Sequence, residues 1–111
     1  MHYYQHAVKI MQQKLITPKF YVFSDDPDWV GEYFDIPAQF QIVKGYTGIE
    51  DMYLLSHCRN NIIANSTFSW WAAWLNLNPD KIIIAPKKWI IGENLDVSDT
   101  DLIPAEWICL W

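Results

Sequence analysis

The run from Asn60 to Pro79 contains no Asp, Glu, Lys or Arg, and this restricts the fold more than any other feature of the chain. It is not a membrane span, because Asn60, Asn61, Asn65, Ser66, Thr67, Ser69, Asn76 and Asn78 place too many polar groups in it. Ile62, Ile63 and Ala64 form an apolar run too short for a helix and suited to a strand buried on both faces. Phe68 to Leu75 is long enough and Ala-rich enough for a helix. Between them, Asn65, Ser66 and Thr67 place three hydrogen-bonding side chains where a helix leaves its first N–H groups unpaired. Trp70, Trp71 and Trp74 in a charge-free helix predict that most of its surface is covered by protein and that its N-terminus opens into a cleft. In an open parallel sheet, ligands bind at the carboxyl ends of the strands, and the helix dipole favours anions there. The turn therefore reads as a phosphate seat, with ordinary Ser/Thr helix capping as the competing role.

With 111 residues the chain has room for one domain with a real core. The expected organisation is a single unit over 1–111: a leading helix at 1–16, a βα core at 20–85, and an irregular tail at 86–111 that packs back through Trp107 and Ile108. Lys plus Arg number 8 against 13 for Asp plus Glu, a net charge of −5 that argues against nucleic acid or an anionic membrane as main partner. A nucleotide-sized ligand needs only local donors and stays open. Cys58 and Cys109 have no metal-ligand spacing and make no disulfide framework, so a reduced, cytoplasmic setting is expected. The opening Met-His-Tyr-Tyr-Gln-His lacks the form of a signal peptide.

Ala7, Ile10, Met11 and Leu15 recur at helical spacing, and Thr17-Pro18 stops that helix. Phe20 to Phe23 reads as a strand. Asp25-Asp26-Pro27 starts a helix through Trp29, Val30, Tyr33 and Phe34. Phe40 to Val43 is the second strand, and Glu50 and Asp51 sit in the first turn of the helix after it. The third strand and the Trp-rich helix follow, with Lys81 to Ala85 as the fourth strand. Strands beginning near Phe20, Phe40, Asn61 and Lys81, each pair separated by a helix, predict a mainly parallel sheet of about four strands with helices on both faces.

Three features project from the carboxyl edge of such a sheet. They are the turn of Ser66, Thr67 and Phe68, the group Ser24, Asp25 and Asp26, and Asp51. A carboxylate at Asp51 can accept two parallel hydrogen bonds from the N1–H and N2–H₂ edge of guanine, which adenine cannot supply; the competing role is an ordinary first-turn Asp. Asp25 and Asp26 are adjacent and diverge, so capping is favoured there over cation binding. Asp99-Thr100-Asp101 has the form of a metal motif but falls in the tail. His57 reads as packed or partly exposed, without a Ser or Asp partner, and Lys87 and Lys88 as a solvated pair.

The run Asn65-Ser66-Thr67-Phe68-Ser69-Trp70-Trp71-Ala72-Ala73-Trp74-Leu75 resembles the carboxyl-terminal half of the bacterial alpha-1,2-fucosyltransferases of glycosyltransferase family 11. So do Asp51 to Cys58, Phe23-Ser24-Asp25-Asp26, Ala85 to Trp89 and Ile103 to Trp107. The resemblance implies an α/β fold, a Rossmann-like three-layer domain forming half of a GT-B-like enzyme. That enzyme would move fucose from GDP-fucose, with inversion, onto the 2-hydroxyl of a galactoside glycan, without an obligatory metal or other cofactor. It would work in the cytoplasm or at the inner face of the bacterial membrane. Asp51 would hold guanine; Ser66, Thr67 and Phe68 would line the diphosphate and base; Asn65, Asp25 and Asp26 would border the donor cleft. The family's His-x-Arg-Arg-x-Asp signature, whose arginine neutralises the leaving diphosphate, is absent, and so is the acceptor-binding half. The expectation is a donor-binding portion that is inactive by itself and prone to self-association through uncovered apolar faces.

Two other classes compete. A flavodoxin-like or receiver-like signalling module would use Asp25 and Asp26 as an acidic pocket, but wants a phosphoacceptor Asp where the third strand ends in Asn65 and Ser66. A sugar-binding module would need Trp70, Trp71 or Trp74 on a surface, whereas their helical spacing points to core.

Overall fold

The computed structural model describes residues 2–91, 93–96 and 103–110. They form two compact units, Met1–Asp51 and Met52–Trp111.

The first unit opens with α1 (His2–Lys14), which buries Ala7, Val8 and Met11 at three- and four-residue spacing. Its polar face is tied down by Gln5 Nε2 donating to the Asp35 carbonyl at 3.1 Å and Gln12 Nε2 donating to the Pro37 carbonyl at 3.0 Å. β1 (Phe20–Phe23) pairs in parallel with β2 (Phe40–Val43), Phe20 opposite Phe40 and Phe23 opposite Val43. The crossover is α2 (Pro27–Tyr33), which buries Val30. Edge-to-face contacts run from Tyr4 to Phe34 to Phe40, each with centroids 5.4 Å apart. After β2 the chain turns at Gly45, whose φ of +91° lies in the left-handed region that a side chain resists. α3 (Gly48–Ser56) follows.

In the second unit, β3 (Asn61–Ile62), β4 (Ile83–Pro86) and β7 (Ile108–Leu110) make a parallel sheet in the order β3-β4-β7. Asn61 lies opposite Ile83, and Ile84 opposite Ile108. α4 (Thr67–Trp74) is the β3-to-β4 crossover. β5 (Lys88–Ile91) and β6 (Glu93–Asp96) form an antiparallel pair. Ile63, Ala73, Ile83, Ala85, Ile103 and Trp107 form one buried cluster, with Trp70 and Cys109 packed against it. Ala72 and Ala73 are wholly buried, so they and Trp70 are the side chains of α4 that face the interior of this unit.

The α/β class and the parallel pairing match the sequence reading, and β1 and β2 occupy the residues it assigned. Three expectations fail. The four strands do not make one sheet: β1 and β2 pair with each other, and β3 and β4 belong to a separate ladder. β3 is only two residues long and pairs with β4, so its short backbone offers little further edge. The stretch 86–111 is not an irregular tail, since three of its segments are strands and Ile108-Cys109-Leu110 lengthens the β3-β4 ladder. The tryptophan helix is not enclosed: Trp71 is 49%, Trp74 52% and Leu75 51% exposed. A charge-free helix has an apolar surface, but the absence of charge does not say that the surface is covered.

Candidate functional site

The bend between β3 and α4 is built by its own cap. Ser66 is extended (φ −154°, ψ 146°), its Oγ accepts from the Ser69 N–H at 3.1 Å, and its hydroxyl donates to Ser69 Oγ at 3.0 Å. Ser66 N–H donates to the Ala64 carbonyl at 2.9 Å, which tightens the turn. The Ser66 hydroxyl is thus committed inside the cap, the competing role for this residue. Asn65 and Thr67 are exposed at the carboxyl end of β3, and Phe68 is half-buried. Geometry at a helix start leaves the Thr67 and Phe68 N–H groups without intrahelical acceptors, and the exposed Asn65 and Thr67 add polar side chains beside them.

Asp51 is positioned by a capping box that the sequence reading missed. Thr47 N–H donates to Glu50 Oε1 at 2.9 Å and Glu50 N–H to Thr47 Oγ1 at 3.2 Å, while Asp51 N–H donates to the Thr47 carbonyl at 2.9 Å. The Thr-x-x-Glu spacing was the available signal. Asp51 Oδ1 is buried with no hydrogen-bond partner. Burial first, and the neighbouring Glu50 carboxylate second, push the Asp51 carboxyl above its ordinary value of 3.8. The acid form is therefore favoured by folding, and the stability it lends is full below the ordinary range and lost as pH rises through the raised value. Asp51→Asn should unfold at a higher guanidinium concentration than the wild type at pH 7, with the gap narrowing toward pH 3. Equal midpoints at pH 7 would show that the carboxylate bears no burial penalty.

Asp25, Asp26 and Asp51 belong to the first unit, and Asn65, Ser66, Thr67 and Phe68 to the second. Asp25 and Asp26 are exposed beyond the carboxyl end of β1. Asp26 caps α2, its Oδ1 accepting from Trp29 N–H at 3.2 Å, while its own N–H donates to Ser24 Oγ at 3.0 Å. His57 has the serine neighbour that the sequence reading denied it: its Nδ1 lies 3.2 Å from Ser56 Oγ. Both groups converge on the Tyr53 carbonyl, at 2.8 Å from Nδ1 and 2.7 Å from Oγ, so they close the end of α3. The histidine ring also packs against Tyr53, with centroids 4.2 Å apart. Asp99-Thr100-Asp101 lies outside the described residues. Among the described residues no three His, Cys, Asp or Glu side chains gather as metal ligands, and no helix is long and apolar enough to cross a membrane. An open depression in the first unit lies at the amino ends of β1 and β2, beside Lys19 and Gln39, away from Asp25 and Asp26.

The chain belongs to glycosyltransferase family 11, whose family model matches residues 1–110. It is 43% identical over 98 residues to the O-antigen biosynthesis glycosyltransferase WbnK of Escherichia coli, covering 85% of this chain and 32% of that protein. It is 36% identical over 110 residues to an alpha-1,2-colitosyltransferase of Escherichia coli, covering 96% of this chain and 37% of that protein. The chain thus spans about a third of the length of these curated relatives. No solved structure matches it.

Proposed function

We propose that this chain is the donor-binding portion of an inverting alpha-1,2-fucosyltransferase, a Rossmann-like half of a GT-B-like enzyme whose donor is GDP-fucose and whose acceptor is a galactoside glycan. The observation that carries the reading is Asp51 Oδ1, a buried acceptor that no protein donor satisfies. An unmade hydrogen bond of this kind is costly, and the N–H donors of a guanine edge would relieve it. The Thr67 and Phe68 N–H groups, with Thr67 Oγ1 and Asn65, would take the diphosphate, and Ser66 shapes that turn; the family resemblance would add Asp25 and Asp26 to the donor-binding residues. No metal is required, because backbone donors and the helix dipole stabilise the anion directly.

Transfer itself requires stabilising charge on the departing nucleotide. Arg59 is the one arginine of this sequence, so in this reading another part of the enzyme would supply the paired arginines of the family signature and any general base. The alpha-1,2-colitosyltransferase relative favours one other transferred sugar, colitose, as the alternative to fucose.

The test is calorimetric titration of the chain with GDP, ADP and UDP. The reading expects GDP to bind with Kd on the order of 0.1–1 mM, ADP and UDP to bind at least tenfold more weakly, and Asp51→Ala to remove the preference. Equal binding of all three nucleotides, or none, would overturn it. Comparing GDP-fucose with the corresponding colitose nucleotide then separates the two sugars.

A further inference from the structure

We propose that the depression at the amino ends of β1 and β2 is a saccharide-binding site, which takes a short neutral glycan through carboxamide and aromatic side chains. Its volume is about 720 Å³, all of it within the first unit, and small-molecule pockets span roughly 300–1,000 Å³. The parallel register sets Tyr21 opposite Gln41, and both are exposed. Lys19 and Gln39 stand two positions earlier on the two segments, are exposed as well, and fall on the same face by the alternation of a strand. A tyrosine ring is thereby flanked by two carboxamides and an ammonium group. None of the residues assigned to the donor lines the depression, so the proposal stands apart from that reading.

The lining selects the ligand. Although the chain has 13 Asp and Glu, no described lining residue is acidic, so a cation finds no counter-charge there. Lys19 is the one cation among the described lining residues, and the depression lies beside the carboxyl end of α1, where the helix dipole disfavours phosphate. A wholly apolar ligand would take the carboxamides out of water without partners. A pyranose meets both needs. Its neighbouring hydroxyls donate and accept, as a carboxamide does from one plane, and its C–H face covers an exposed ring. Gln12 is already oriented by its bond to the Pro37 carbonyl. The side chains of Thr17, Lys19, Tyr21, Gln39 and Gln41 form no hydrogen bond with other described residues, so all five are available to a ligand. Thr17 has a φ of +45°, in the left-handed region that a β-branched residue resists, and strain of this kind gathers where a ligand is clamped.

Titration of the whole chain with lactose, maltotriose and GDP, followed by amide proton–nitrogen NMR, tests this. Lactose or maltotriose is expected to shift the signals of residues 17–21 and 38–41 with Kd on the order of 1–10 mM, unchanged by about 0.5 M salt, while GDP leaves those signals in place. Tyr21→Ala and Gln39→Ala should each weaken saccharide binding about tenfold without altering signals elsewhere in the spectrum. Gln39 lies outside the strands, so its variant keeps the test open should the tyrosine variant fail to fold. Signals at 17–21 and 38–41 that neither sugar moves overturn the proposal. So does GDP shifting them as strongly as the sugars do, which would make the depression an anion site, and so does wild-type affinity in both variants.

Discussion

Replacing Asn76 with alanine lowers the unfolding free energy by about 3 kcal/mol, more than any other single polar substitution expected in this chain. Asn76 is 2% exposed and lies just beyond α4. Its Nδ2 donates to the Cys58 carbonyl at 2.9 Å and to Asn61 Oδ1 at 2.8 Å, and its Oδ1 accepts from Asn78 N–H at 2.9 Å. Asn61, itself 2% exposed, passes the connection on by donating from Nδ2 to the Leu55 carbonyl at 2.8 Å. The pair ties the end of α3, the start of β3 and the exit of α4 at one place. Alanine removes one donor group and one acceptor, and strands Asn61 Oδ1 and the Cys58 carbonyl without donors; each orphan costs about 1–3 kcal/mol. Guanidinium denaturation reads the loss as a lower midpoint at constant slope. A double-mutant cycle with Asn61→Ala should show coupling of at least about 1 kcal/mol, and strict additivity would show that the two side chains act separately.

Trp107→Ala is expected to cost about 3–5 kcal/mol, a large share of what holds a domain of this size. Trp107 is 7% exposed, belongs to the buried cluster with Ile63, Ile83 and Ile103, and immediately precedes β7. Its N–H donates to the Pro104 carbonyl at 3.1 Å, which fixes the turn that delivers β7 to β4. Alanine therefore opens a cavity and loosens the approach of the last strand together. Trp107→Phe keeps most of the volume and should recover more than half of the loss. If alanine costs under about 1 kcal/mol, residues 103–110 are an accessory to the second unit and not part of its core.

These two sites mark where reading from sequence succeeded and where it stopped. Phe20–Phe23 and Phe40–Val43 were legible because each is a short aromatic and β-branched run bounded by turn residues. The start of α4 was legible because Ser66 sits where a cap belongs. Ile108-Cys109-Leu110 was not: a three-residue strand carries no periodicity, and only pairing with β4 makes it one. The division of the strands into two ladders was equally silent, since alternating strands and helices specify local order and say nothing of which strand bonds to which. Asn61 and Asn76 entered the sequence reading only as polar residues of the charge-free run, and spacing fifteen apart gave no sign that they bond to each other in the interior. For the candidate site, the sequence pointed to Asp51 by its place in a first turn, but only the coordinates revealed that one of its oxygens lacks a partner.

The parallel ladders bear on how the chain reaches this state. Phe20 meets Phe40, Asn61 meets Ile83 and Ile84 meets Ile108, so every parallel pairing bridges a loop of twenty residues or more. Among the described residues only β5 with β6 is a local antiparallel pair. Hairpins close in roughly 1–10 µs, whereas non-local pairings wait on loop closure and fold in milliseconds to seconds. During that interval Ile83, Ile84 and Ala85 remain an uncapped, uncharged β-forming segment, which makes the nascent chain a natural client for chaperones that shield such sequences.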